Sequence, residues 1–196
     1  MPDVLRTVSP VDGRVYVERA LATESEIVAA RSAARGAQPA WRRMPLARRA
    51  ELCRRAVDAF VAHAPEIAEE ITWQMGRPLA QSPGEVRGFE ERARTMIDLA
   101  EEALADIEVA PRDGVERFIR REPLGVVLTV APWNYPYLTA VNSIVPALVA
   151  GNAVILRHSS QTPLCAERLA QAFAEADLPA GVFQHLHASH AATERL

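Results

Sequence analysis

Lysine is missing from this sequence: all 22 basic residues among its 196 are arginine. Any positive charge offered to a ligand must therefore arrive on a planar guanidinium instead of a compact ammonium. No apolar run is long enough to cross a bilayer, and the amino terminus carries Asp3 and Glu18 with no signal-like apolar core, which points to the cytoplasm. There are two cysteines, Cys53 and Cys165, far apart and without metal-ligand spacing, so they read as buried small hydrophobes and not as a disulfide. A net charge of -3 and a pI near 6.0 provide no broad basic field. Nucleic acid and anionic membrane are thereby disfavoured as partners, and a small molecule fits better. The dinucleotide fingerprint Gly-x-Gly-x-x-Gly is absent as well.

What is present is the pattern of an α/β protein. Thr23 and Glu26 form a capping box opening a helix expected to reach Gln38 and to stop at Pro39, with Trp41 anchoring the turn. Pro45 suits a first helical position. After it, Leu46, Ala50, Cys53, Val57, Phe60 and Val61 recur on one face, with Arg48, Arg49, Arg54 and Arg55 on the other. Further helices are expected over residues 65–75, ended by Gly76, and over 84–104. A turn at 110–114 and a charged, edge-like strand at 115–121 follow.

From residue 124 the order is strand (124–130), helix (136–149), strand (153–157), helix (163–175) and strand (182–186). This is βαβαβ, the half of a Rossmann-like parallel sheet. The division implied is an amino-terminal helical segment at 1–112, an edge strand or arm at 113–123, and half of a dinucleotide-binding domain at 124–196.

The strand at 124–130 is uncharged and bounded by Pro123 and Pro132, so it reads as covered on both faces. Ligands gather at the carboxyl ends of such strands. There the run Ala131-Pro132-Trp133-Asn134-Tyr135-Pro136 sets one carboxamide between two prolines. A neutral donor held in one orientation suits a developing oxyanion. The competing reading is a turn asparagine satisfying its own backbone. Trp133 and Tyr135 are open between packing and lining a ligand site. His185, His187 and His190 cluster, but only Glu194 follows as a further ligand, so no metal site is assigned.

Residues 121–127 (Arg-Glu-Pro-Leu-Gly-Val-Val), the Pro-Trp-Asn-Tyr-Pro run, Pro146-Ala147-Leu148, Gly151-Asn152, Gln161-Thr162-Pro163-Leu164 and Leu178-Pro179-Ala180-Gly181-Val182 occur in an order and spacing that closely resembles the NAD(P)-dependent aldehyde dehydrogenase superfamily. Met75-Gly76-Arg77-Pro78 and the Pro-x-x-Gly at 10–13 extend the resemblance toward the amino terminus.

The resemblance implies oxidation of an aldehyde to a carboxylic acid, with NAD or NADP as hydride acceptor and Asn134 donating to the substrate oxygen. It also implies backbone contact with the cofactor along Val130, Ala131, Pro132 and Trp133. A ribose contact falls at Arg157, where the family usually has lysine, and another at Ser160. A glutamate at the latter position would repel a 2′-phosphate, so serine leaves NADP open.

The family's Phe-Thr-Gly-Ser, Glu-Leu-Gly-Gly and Gly-Gln-x-Cys segments do not occur in these residues. The 196 residues are thus expected to be an amino-terminal portion, inactive alone and weak in cofactor binding, of a protein that forms homo-oligomers. The alternative is a non-catalytic truncated subunit that binds a full-length relative or another partner.

Overall fold

The computed structural model describes residues 3–110 and 112–196; Pro111, within the turn expected at 110–114, lies outside the described residues. The chain opens with a hairpin, β1 (Val4–Val8) antiparallel to β2 (Val15–Ala20), with a register irregularity at Thr7/Val8. The helical reading of 1–112 did not contain it, although Leu5, Thr7 and Val17 turn inward with the period of a strand.

Helix α1 (Glu24–Arg43) starts at the expected capping box, in which Thr23 Oγ1 accepts from Glu26 N–H and Glu26 Oε2 accepts from Thr23 N–H at 2.7 Å. It does not stop at Pro39 but runs on to Arg43. Pro39 costs the helix one hydrogen bond. Against that, Trp41 is buried, with its indole N–H donating to Leu148 O at 2.9 Å, so tertiary packing overrides the local breaker.

Helices α2 (Leu46–Ala62) and α3 (Ala64–Met75) follow, the latter closed by Gly76 in the left-handed conformation. The helix expected over 84–104 is two: α4 (Pro83–Asp98) and, beyond Leu99, α5 (Ala100–Leu104). Arg49 departs from the solvent face assigned to it. It is 8% exposed, and its Nε donates to Val149 O at 2.9 Å. The expected strand at 115–121 shrinks to β4 (Phe118–Ile119), which pairs with β3 (Ile107–Glu108) in a two-stranded arm.

The carboxyl-terminal half follows the expected order: β5 (Val126–Ala131), α6 (Pro136–Val149), β6 (Ala153–His158), α7 (Leu164–Glu175), β7 (Phe183–His185) and a short α8 (His190–Thr193). The three strands form a parallel sheet in the order β5-β6-β7. Strand β6 is buried at every residue. Strand β5 is not covered on both faces as the sequence suggested: Thr129 and Ala131 are buried, while Leu128 and Val130 are exposed. It lies at the sheet edge, and α1 packs over Ala153 and Ile155 but leaves Val130 open.

One apolar core spans the amino-terminal helices and the sheet, running from Trp41 through Phe60, Phe89 and Tyr137 to Val182. Helix α2 packs on α6 and α7, and α4 packs on α6. The loop leading into β7 passes so close to α1 that a Cβ on Gly181 (φ +85°) would stand 2.8 Å from Ala33 O. Among the described residues no helix is long and apolar enough to cross a membrane.

Candidate functional site

The parallel register sets Val130 beside Arg157 and Ala131 beside His158, so the turns that leave β5 and β6 are neighbours at the carboxyl edge of the sheet. Ala131 O accepts from Ser159 N–H at 2.9 Å and ties the two turns together.

In the first turn Trp133, Asn134 and Tyr135 are all exposed. Among the described residues the Asn134 side chain makes no hydrogen bond to protein, so its carboxamide is not spent on local backbone. The turn around it is held from three sides. Glu85, 0% exposed, accepts with Oε2 from both Tyr137 N–H and Leu138 N–H at 3.1 Å, and its Oε1 accepts from Arg77 Nη1 at 2.7 Å. The Arg77 guanidinium in turn lies 5.1 Å from the centre of the Tyr135 ring. His158, also buried, pairs its Nε2 with Pro136 O at 3.2 Å and its Nδ1 with Thr162 Oγ1 at 3.1 Å. Burial brings His158 down to about 4, so near neutrality the ring is uncharged. It can then donate to Pro136 and accept from Thr162.

Helix α6 is therefore fixed at both ends by the amino-terminal layer, with the carboxylate of Glu85 at its amino end and the guanidinium of Arg49 at its carboxyl end. Each charge has the sign the helix dipole favours.

In the second turn Ser160 is exposed, and its carbonyl accepts from Thr7 Oγ1 of the hairpin at 2.8 Å. Arg157 is buried and its Nε donates to Ala188 O at 3.3 Å; burial lowers its affinity for the proton. Among the described residues its terminal nitrogens have no protein partner, yet they are not sealed from solvent. Arg157 and Ser160 share a cleft of about 290 Å³ with Leu5, Arg6, Leu21 and Ser189. The exposed face of Leu128 and Val130 lies alongside. Ala131 is buried toward α6, and Pro132 is half-buried.

The remaining reactive groups are engaged elsewhere. Burial raises Cys53 to about 12 and Cys165 further still, which leaves neither thiol nucleophilic near neutrality. His187 Nε2 sits 2.9 Å from Glu167 Oε1, which also receives Arg19. Burial alone would raise Glu167, but the bonds from His187 and Arg19 outweigh it and take the carboxyl to about 2. Among the described residues no group of three or more His, Cys, Asp or Glu is placed to hold a metal ion.

The structure thus brings Asn134, Val130, Arg157 and Ser160 to one edge. It adds Glu85, Arg77 and His158, for which the sequence carried no signal beyond the quoted Met75-Gly76-Arg77-Pro78 run.

The family model described as "Aldehyde dehydrogenase family" matches residues 2–196. A succinate-semialdehyde dehydrogenase [NADP(+)] of Mycobacterium tuberculosis is 34% identical over 194 residues, which are 98% of this chain and 42% of that protein. Among solved structures, an aldehyde dehydrogenase of Brucella melitensis superposes with a TM-score of 0.92 at 29% identity, covering 97% of this chain and 40% of the other. The NADP-dependent glyceraldehyde-3-phosphate dehydrogenase of Bacillus halodurans, complexed with NADP, does so with a TM-score of 0.90 at 27% identity, covering 98% and 41%. The chain spans about two fifths of the length of the curated relatives it matches.

Proposed function

Because the chain belongs to the aldehyde dehydrogenase family, we propose that it carries the oxyanion donor and part of the cofactor site of an enzyme oxidising an aldehyde to a carboxylic acid. The observation that carries this reading is the Asn134 carboxamide, exposed at the carboxyl end of β5, without a protein partner among the described residues, in a turn fixed by buried groups. Such a donor stabilises negative charge as it develops on the substrate oxygen without having to reorganise.

NAD or NADP, when bound, supplies the hydride acceptor. The residues present fit it. Leu128 and Val130 offer an open apolar face, and Arg157 and Ser160 line the adjoining cleft. The buried Arg157 guanidinium, its terminal nitrogens without a partner among the described residues, suits a phosphate or ribose oxygen, and Ser160 brings no negative charge to repel a 2′-phosphate. This supports NADP as an accepted cofactor, in keeping with the NADP named for the M. tuberculosis and B. halodurans relatives.

The same reading places the protein in the cytoplasm and treats residues 1–112, 113–123 and 124–196 as an amino-terminal hairpin and helical layer, an arm and a cofactor half. The arm exposes Val115, Phe118 and Ile119, and the β3 strand paired with it exposes Ile107, which supports association with further copies.

The test extends the reading frame past Leu196, expresses what it encodes and follows reduced nicotinamide with semialdehyde substrates. Asn134→Ala is expected to lower kcat by about 100 to 1,000-fold. Unchanged turnover in that variant would remove Asn134 from the mechanism.

A further inference from the structure

Resting on the oxyanion reading of Asn134, we infer that Glu85, held by Arg77, is a positioning residue that keeps the Asn134 carboxamide from capping its own helix. Helix α6 has Tyr135 at its N-cap, and no side chain of the turn bonds the first N–H groups. Those groups need acceptors, and asparagine is among the preferred residues for the task. Asn134 stands three residues before Tyr137, the spacing at which an asparagine side-chain oxygen accepts from backbone N–H. Left unopposed, the turn would fold its carboxamide back onto Tyr137 N–H.

Glu85 removes that option. Its Oε2 occupies both Tyr137 N–H and Leu138 N–H, and it reaches them from α4, across the core and not along the chain. A carboxylate with 0% exposure is expensive to bury, and Arg77 compensates it through the other oxygen at 2.7 Å. Arg77 also covers Tyr135, so the pair grips the turn on both sides of Pro136. The cap is supplied from elsewhere, and Asn134 keeps its amide free for a ligand.

The experiment is NMR on the 196-residue chain with Asn134 and Tyr137 assigned, comparing wild type, Glu85→Ala, Glu85→Asp and Gln74→Ala. Gln74 is an equally buried side chain whose Oε1 accepts from Leu164 N–H at the start of α7, and it serves as the control for loss of a cap. In Glu85→Ala the Asn134 side chain is expected to swing onto the helix, giving new NOEs between its methylene protons and Tyr137 N–H and a shifted carboxamide pair. Gln74→Ala should show neither change.

Glu85→Asp keeps the charge facing Arg77 but withdraws the acceptor, and it gives the same readout should the alanine variant fail to fold. A folded Glu85 variant whose Asn134 signals match wild type overturns the inference. Because this readout needs no turnover, full activity in Asn134→Ala would sink the oxyanion reading while leaving the capping competition standing or falling by itself.

Discussion

The two strand-to-helix turns at the carboxyl edge, β5 into α6 and β6 into α7, do the same topological job with opposite means. The second satisfies one of its own loop N–H groups, Ser159 Oγ accepting from Gln161 N–H at 3.2 Å, and a neutral amide, Gln74, takes the first N–H of α7. The first contributes no local cap and is closed by a buried carboxylate paired with the half-buried Arg77 and by a buried histidine. The difference teaches where each turn spends its polar side chains. After β6 the loop's own hydroxyl goes to its backbone, whereas after β5 the loop's carboxamide is left unspent.

The comparison breaks most visibly under Glu85→Ala. Removing the buried carboxylate leaves Arg77 without its partner and Leu138 N–H without its acceptor, so a loss of about 3–5 kcal/mol is expected in denaturant titrations. Acid should act next. The His158 proton affinity is near 4 in the fold against about 6.5 unfolded, so between these values the unfolded chain binds more protons. Its contribution is complete above about pH 6.5 and is lost as pH falls toward 4, on the order of 3 kcal/mol in all. His158→Gln should flatten that part of a stability-against-pH curve, and an unchanged slope would acquit the histidine.

Gln74→Ala, which removes a neutral cap, is expected to cost about 1–3 kcal/mol, distinctly less than Glu85→Ala. Equal losses would erase the contrast between the turns. Smallest is the effect on ligand choice. Ser160→Glu in a cofactor-binding form should weaken NADP relative to NAD by at least about tenfold, or 1.4 kcal/mol, by calorimetric titration.

Much of this was legible beforehand where local pattern decides. Both helices between the parallel strands, and the three strands themselves, fall within a few residues of the spans that periodicity and the Gly/Pro punctuation mark out, and the resemblance around Pro132 to Pro136 led to the right family. The misses share a cause. Arg49 and Glu85 sit among charged neighbours on amphipathic helices, and nothing local distinguishes a solvated charge from one that reaches across the core to the end of α6. Pro39 within α1 is the same lesson in reverse, since the Trp41 contact that outweighs it comes from a residue over a hundred positions away. The open face of β5 depends on what lies beside a sheet edge, and the composition of a strand does not say that.

The approach of Gly181 to Ala33 O sets a mutational limit of a different kind. Most core positions can drift by a methyl group and let neighbours adjust. Here the neighbour is a backbone carbonyl of α1 and the dihedral is one that side chains resist, so even alanine would act as a wedge between helix and sheet. A library of substitutions across this chain should therefore record near-complete intolerance at residue 181, a loop position constrained by clearance and by its backbone dihedral together.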